Sequence, residues 1–146
     1  MGQTFTTPGD CITRVASVTF ALSPQGGSSG RVDVTAFLYK YDLGTDQVVG
    51  SSLGSQNVGT TEAATTLTAT FPTPIQLQEA STYAAILTTS GLGQLATLAT
   101  LETSATLAPR TILDGEGIRL SNGDDPSAIA SSAFSRAGLN LQIVIA

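Results

Sequence analysis

The 146-residue sequence contains no histidine and no tryptophan, and only 12% of its residues are charged. The absence of histidine removes the most common general base, every nucleophile that depends on a histidine partner, and the usual zinc sites. A serine–lysine pair would have to use Lys40, the only lysine, which we expect to be a solvated charge at a strand end. We therefore expect a protein that is not an enzyme and holds no cofactor.

Two acidic pairs keep other chemistries open. Asp114 with Glu116, and Asp124 with Asp125, could act as the two carboxylates of a glycoside hydrolase or supply oxygen ligands to calcium. Both pairs lie in glycine-containing turns, where acidic residues are common for backbone reasons, and neither matches a complete calcium loop. We therefore assign no catalytic and no metal-binding residue.

Cysteine, positive charge and long apolar runs are equally scarce. Cys11 is the only cysteine, so there is no internal disulfide, and we expect a small buried side chain. With a net charge of -5 and scattered arginines, the chain is not expected to bind nucleic acid. No apolar run is long enough to span a membrane, and the N-terminus does not resemble a signal peptide. We expect no membrane partner, and synthesis and folding in the cytoplasm.

Alternating threonines are the clearest positive feature. Thr66, Thr68 and Thr70 alternate with apolar residues in the stretch TLTATF, which predicts a half-buried strand. Pro72 and Pro74 then predict a kinked crossover, because proline donates no backbone hydrogen bond. A turn at 79–82 leads into another predicted strand at 83–88.

The remaining sequence predicts further short strands and few helices. Strands are predicted at 3–7, 11–23, 31–41, 47–53 and 139–146, and a hairpin joins 111–113 to 118–120. Residues 51–61 read as a connection. Residues 91–109 read as irregular structure with a strand, and their leucine spacing fits a helical face about as well, which leaves a short helical turn open. The expected fold is a single all-β domain over residues 1–146, an antiparallel β-sandwich of the jelly-roll type with about eight or nine strands.

The same residues resemble a family. The segments QTFTTPGDCITRVASVTFAL, GRVDVTAFLY, ATFPTPIQLQEASTYAAIL and LNLQIVIA resemble small jelly-roll domains of bacteriophage virion proteins and bacterial surface proteins. The matching positions are Gln3, Phe5, Val15, Val18, Phe20, Leu22, Gly30, Val32, Val34, Phe71, Pro74, Leu77 and Tyr83. These are core and turn residues, so the resemblance speaks to the fold. Family members often carry a tryptophan near the end, which this sequence lacks.

The resemblance and the low charge together imply a structural role. We expect a capsid cement or decoration protein on the capsid surface of the virion, binding the major coat protein and, by family analogy, forming a homotrimer. The alternative is a receptor- or carbohydrate-binding module of a tail fibre or adhesin. The candidate interaction surface comprises two sets of side chains, the aromatic cluster Phe37, Tyr39 and Tyr41 and the apolar residues Leu92, Leu95 and Leu98.

Overall fold

In the computed structural model, the described part of the chain forms β-strands. The structure describes residues 2–24, 33–60, 66–89, 99–101, 117–120, 129, 134–137 and 142–145. The strands are β1 (Gly2–Thr6), β2 (Thr13–Pro24), β3 (Asp33–Asp42), β4 (Gln47–Thr60), β5 (Thr66–Leu77), β6 (Thr82–Thr89), β7 (Ala99–Leu101), β8 (Gly117–Leu120), β9 (Phe134–Ala137) and β10 (Gln142–Ile145). The described strands number ten, against the eight or nine expected.

The strands form two antiparallel sheets. Sheet 1 has the order β4-β3-β6-β1-β8-β9, and sheet 2 has the order β10-β2-β5, with β7 paired to the far end of β2. All the pairings among the described residues are antiparallel. The prediction of an all-β protein with antiparallel sheets is confirmed.

A shared apolar core joins the two sheets. Every second residue of β3 and β6 points toward sheet 2, and every second residue of β2 and of the first half of β5 points back, as the pleat requires. Phe20 from sheet 2 and Leu38 from sheet 1 are both fully buried, and Phe5 stacks against Tyr83 with ring centroids 5.8 Å apart. The alternation read from the sequence is therefore the two-sided pattern of a sandwich-like core.

The proline pair produces a bulge where a crossover was predicted. Val15 of β2 lies opposite Ile75 of β5, whereas Ser17 lies opposite Thr70, so Pro72 and Pro74 belong to extra residues looped out of one continuous strand. The missing N–H groups of the prolines are tolerated there because looped-out residues do not bond to the partner strand. The chain passes between the sheets later, at residues 78–81.

That turn is fixed by a buried threonine. The Thr7 hydroxyl donates to the Gln78 carbonyl at 2.6 Å and accepts from the Ser81 N–H at 3.0 Å, while the Thr7 N–H donates to the Ser81 carbonyl at 2.9 Å. The Gln78 N–H donates to the Tyr83 hydroxyl at 2.7 Å. The turn is therefore attached both to the end of β1 and to the strand that follows it.

β4 extends well beyond its predicted end at Leu53. Instead of forming the predicted connection, this part of the chain pairs with β3, with Ser55 opposite Phe37 and Gln56 opposite Ala36. The residues between Val49 and Gly54 form a bulge just before this segment. One of them is Gly50, whose φ is 72°. The glycine- and serine-rich composition looked like a loop, but long-range pairing to β3 makes the segment a strand.

The prediction for the C-terminal strands is confirmed only in part. The closing strand is confirmed as β10, which pairs with β2, but β9 was not predicted. β8 pairs with β1 and β9 in the described residues, and its predicted hairpin partner at 111–113 lies outside them. Within 91–109 the structure describes β7 alone, so the expected strand is present and the remaining residues lie outside the described part.

Candidate functional site

The predicted aromatic cluster lies on the side of sheet 1 that faces away from sheet 2. Tyr39 and Tyr41 are only 8% and 3% exposed, and Phe37 is half-buried. The Phe37 and Tyr39 rings are 6.1 Å apart between centroids and tilted by 34°. The three residues therefore share one face, as their spacing predicted.

A second apolar cluster covers these rings. It consists of the aromatic residues and of apolar side chains from the neighbouring strands and from one residue late in the chain, namely Val48, Ala84, Ile86, Ile118 and Ile129. Ile118 and Ile129 are fully buried. Because the chain itself covers this side of sheet 1, little of Tyr39 or Tyr41 is open to stack against a sugar ring.

The hydroxyl groups of the two tyrosines are also engaged. Tyr41 donates to the Asp46 carboxylate at 3.4 Å, and Tyr39 is hydrogen-bonded to Ser52 in the β4 bulge. Burial raises the pKa of Tyr39 above its usual value of 10.0, and the hydrogen bond from Ser52 acts in the opposite direction. These groups serve to anchor the β3–β4 hairpin, whose turn is further closed by the Gly44 N–H donating to Asp42 at 2.8 Å.

The sequence also singled out three leucines, two acidic pairs, Lys40 and Cys11. Leu92, Leu95 and Leu98 lie outside the described residues, as do both acidic pairs, Asp114 with Glu116 and Asp124 with Asp125. The Lys40 ammonium donates to the Gln78 side chain at 2.7 Å. Cys11, expected to be buried, is half-exposed. The interaction surface as a whole stays a prediction.

The comparisons with known proteins return no relative. No protein-family description, curated protein or solved structure matches the chain.

Among the described residues, no group of three or more histidine, cysteine, aspartate or glutamate side chains is placed to hold a metal ion. The described part of the chain likewise has no helix long and apolar enough to cross a membrane.

The outer side of sheet 2 carries a group of small hydroxyl side chains, which we call the hydroxyl face. It comprises Ser17 and Thr19 of β2 and Thr68 and Thr70 of β5, with Thr68 and Thr70 exposed. The hydroxyls of Thr19 and Thr68 are hydrogen-bonded across the strands at 2.9 Å. The alternation of threonine with apolar residues in β5 was the sequence signal for this face, since a strand with one buried side leaves its other side in solvent.

A second exposed feature is the outer edge of β4, which sequence reasoning missed because it took part of the strand for a loop. β4 ends the strand order of sheet 1 and carries no charged residue between Gln47 and Thr60. Val49 and Leu53 are 47% and 44% exposed beside its bulge. Proteins commonly place proline, or lysine and other charged residues, on such edges to prevent pairing with other chains.

A groove at one end of the molecule is the remaining feature. Its volume is about 370 Å³, and its wall consists of Ile12, which is 61% exposed, and the residues at the end of β5 and the following turn, Gln76, Leu77, Gln78 and Glu79. One carboxylate, that of Glu79, stands among apolar and amide groups, and the groove brings together no set of groups that could move a proton or hold a metal ion.

Proposed function

We propose that this chain is a non-enzymatic structural protein of a bacteriophage virion, a decoration or cement protein that binds the coat-protein shell from its outer surface. The observation that carries the proposal is the hydroxyl face of sheet 2. It is a surface of small hydroxyl side chains built on a strand pair whose other side belongs to the core. The resemblance of the sequence to phage virion domains supplies the class of partner.

The composition of the hydroxyl face suits contact with another protein. Charged residues are depleted at the centre of protein interfaces because a charge loses its hydration there. The described side chains of this face carry one charge, that of Arg14, where β2 begins. The hydrogen bond between Thr19 and Thr68 holds two of the side chains in place, so that less conformational entropy is lost when they are covered.

Many weak contacts of this kind can stabilise a shell. A protein that binds only the assembled shell shifts the equilibrium toward that shell by mass action, and each copy adds to the effect. The expected jelly-roll order of the strands belongs to the same proposal, because several connections between strands lie outside the described residues. The glycan-binding alternative depends on aromatic rings open to solvent, and no described contact favours it.

The test is to look for the chain in phage particles. Particles banded on a density gradient, from a lysate of cells that encode the chain, should contain it in a fixed ratio to the major coat protein. Purified chain added to particles that lack it should bind to saturation and raise the temperature at which the shell opens. A chain that remains at the top of the gradient and does not bind the shells would refute the proposal.

A matched variant identifies the surface. Thr70→Lys places a charge in the centre of the hydroxyl face at an exposed position, so the fold should be retained while shell binding weakens by about tenfold or more. Thr45→Lys makes the same kind of change at an exposed position of the turn between β3 and β4 and should leave the contact with the shell in place. Equal binding by the wild type and Thr70→Lys would assign the contact to another surface.

A further inference from the structure

The edge of β4 is suited to pairing with another strand. An edge strand has one neighbour, and every second residue directs its N–H and C=O groups away from that neighbour. No strand of the described part of the chain lies beyond β4, which is long and contains neither proline nor a charged residue. Between its two bulges, residues 54–57 pair with β3 in continuous register. That segment is a regular edge.

The chemistry of this segment favours a second copy of the same strand. Two identical strands pair antiparallel around a two-fold axis, so each residue near the axis lies opposite itself or a close neighbour. A charged residue would be repelled by its own copy, whereas a hydroxyl or an amide both donates and accepts hydrogen bonds and is complementary to itself. Ser55 and Gln56, at the centre of the regular segment, are residues of this kind.

The charge of the whole chain points to the same partner. Two copies with a net charge of -5 each repel one another at most orientations, and the repulsion is weakest where the surfaces that meet carry no charge. β4 meets that condition along its full length. Pairing there would also cover part of Leu53, which is 44% exposed next to the regular segment.

We propose that β4 pairs antiparallel with β4 of a second copy of this chain, around a two-fold axis near Ser55, so that sheet 1 continues from one protomer into the other. The contact is independent of the shell, since the hydroxyl face belongs to sheet 2 and the pairing edge to sheet 1. The resulting assembly is a dimer, which departs from the trimer that family analogy favours.

The test uses a charge at the axis and then reverses it. The wild-type chain should be a dimer by sedimentation velocity and native mass spectrometry at micromolar concentration. Ser55→Lys and Ser55→Glu should each dissociate, with a dimer dissociation constant raised about tenfold or more, because each charge would face its own copy. Mixing the two variants should restore a dimer with one copy of each, since opposite charges then meet at the axis.

The controls keep the result interpretable. Thr70→Lys adds the same charge to an exposed strand position away from the edge and should remain a dimer. Far-UV circular dichroism should be the same for all variants, because Ser55 is exposed. On the wild type alone, amide exchange should slow as protein concentration rises at those residues of 54–57 whose N–H groups point away from β3.

Three outcomes would overturn the proposal. They are a wild-type monomer or trimer, a Ser55→Lys variant that dimerises as strongly as the wild type, and a mixture of the lysine and glutamate variants that stays monomeric. The shell-binding test is read separately, so a failure of self-pairing leaves the hydroxyl-face result standing, and the converse also holds.

Discussion

Replacing Thr7 with valine removes a hydroxyl and leaves the shape of the side chain almost unchanged. Thr7 is 2% exposed, and its hydroxyl lies between the carbonyl of Gln78 and the N–H of Ser81. Two hydrogen bonds are therefore lost at the place where the chain passes from sheet 2 to sheet 1.

The expected cost follows from those two contacts. Each intramolecular hydrogen bond contributes about 1 kcal/mol net, and a buried donor left without an acceptor costs about 1–3 kcal/mol. Ser81 is half-buried, so water reaches its N–H in part and the lower end of that range applies. The total is about 2–3 kcal/mol, which corresponds to a fall in Tm of about 5–10 °C in a domain of this size.

The measurement is urea unfolding followed by far-UV circular dichroism, with Thr6→Val as the matched control. Among the described residues, the Thr6 hydroxyl bonds to the hydroxyl of Thr82 alone, at 3.1 Å. Both residues are half-buried, so the freed hydroxyl can turn to water. That variant should lose less than about 1 kcal/mol, with the same dependence on urea. Equal losses in the two variants would show that the Thr7 hydroxyl does not hold the turn as described.

Two other perturbations test the packing and the ionisation of β3 and its neighbours. Gly54→Ala would place a methyl group 3.2 Å from two ring carbons of Phe71, so we expect a loss of about 1–3 kcal/mol in urea unfolding, whereas Ser55→Ala should change stability by less than about 0.5 kcal/mol. Because burial raises the pKa of Tyr39 in the folded state, its stabilising effect is complete below pH 10.0 and is lost as the pH rises through the higher folded value. As the pH is raised from 8 to above 10, the Tyr39→Phe variant should therefore lose less stability than the wild type, and urea midpoints that fall in parallel would contradict this.

The strands that have one buried side could be read from the sequence. In β5 the threonines and apolar residues alternate because each side of the strand meets a different environment, solvent or core. The same rule placed Phe37, Tyr39 and Tyr41 on one side of β3. What covers those rings could not be read, since Ile118 and Ile129 are distant in sequence and no local pattern encodes the contact.

The prediction for the edge strand β4 was wrong for a related reason. Residues 54–60 have the glycine, serine and asparagine content of a loop, and their extended form depends on pairing with β3. Gly54 is small because the Phe71 ring and the Ile75 side chain of β5 approach it from across the core. Such a requirement belongs to the tertiary structure, so composition alone pointed to the wrong local conformation.

β6 lies in the middle layer of the molecule, with the main core on one side and the tyrosine cluster on the other. Every residue from Tyr83 to Thr88 is buried, and the Thr88 hydroxyl donates to the Thr35 carbonyl at 3.3 Å. Strands with a solvent side can accumulate substitutions at alternate positions without loss of the fold. Residues 83–88 offer no such position, so substitutions there are less readily tolerated than on the described strands that have a solvent side.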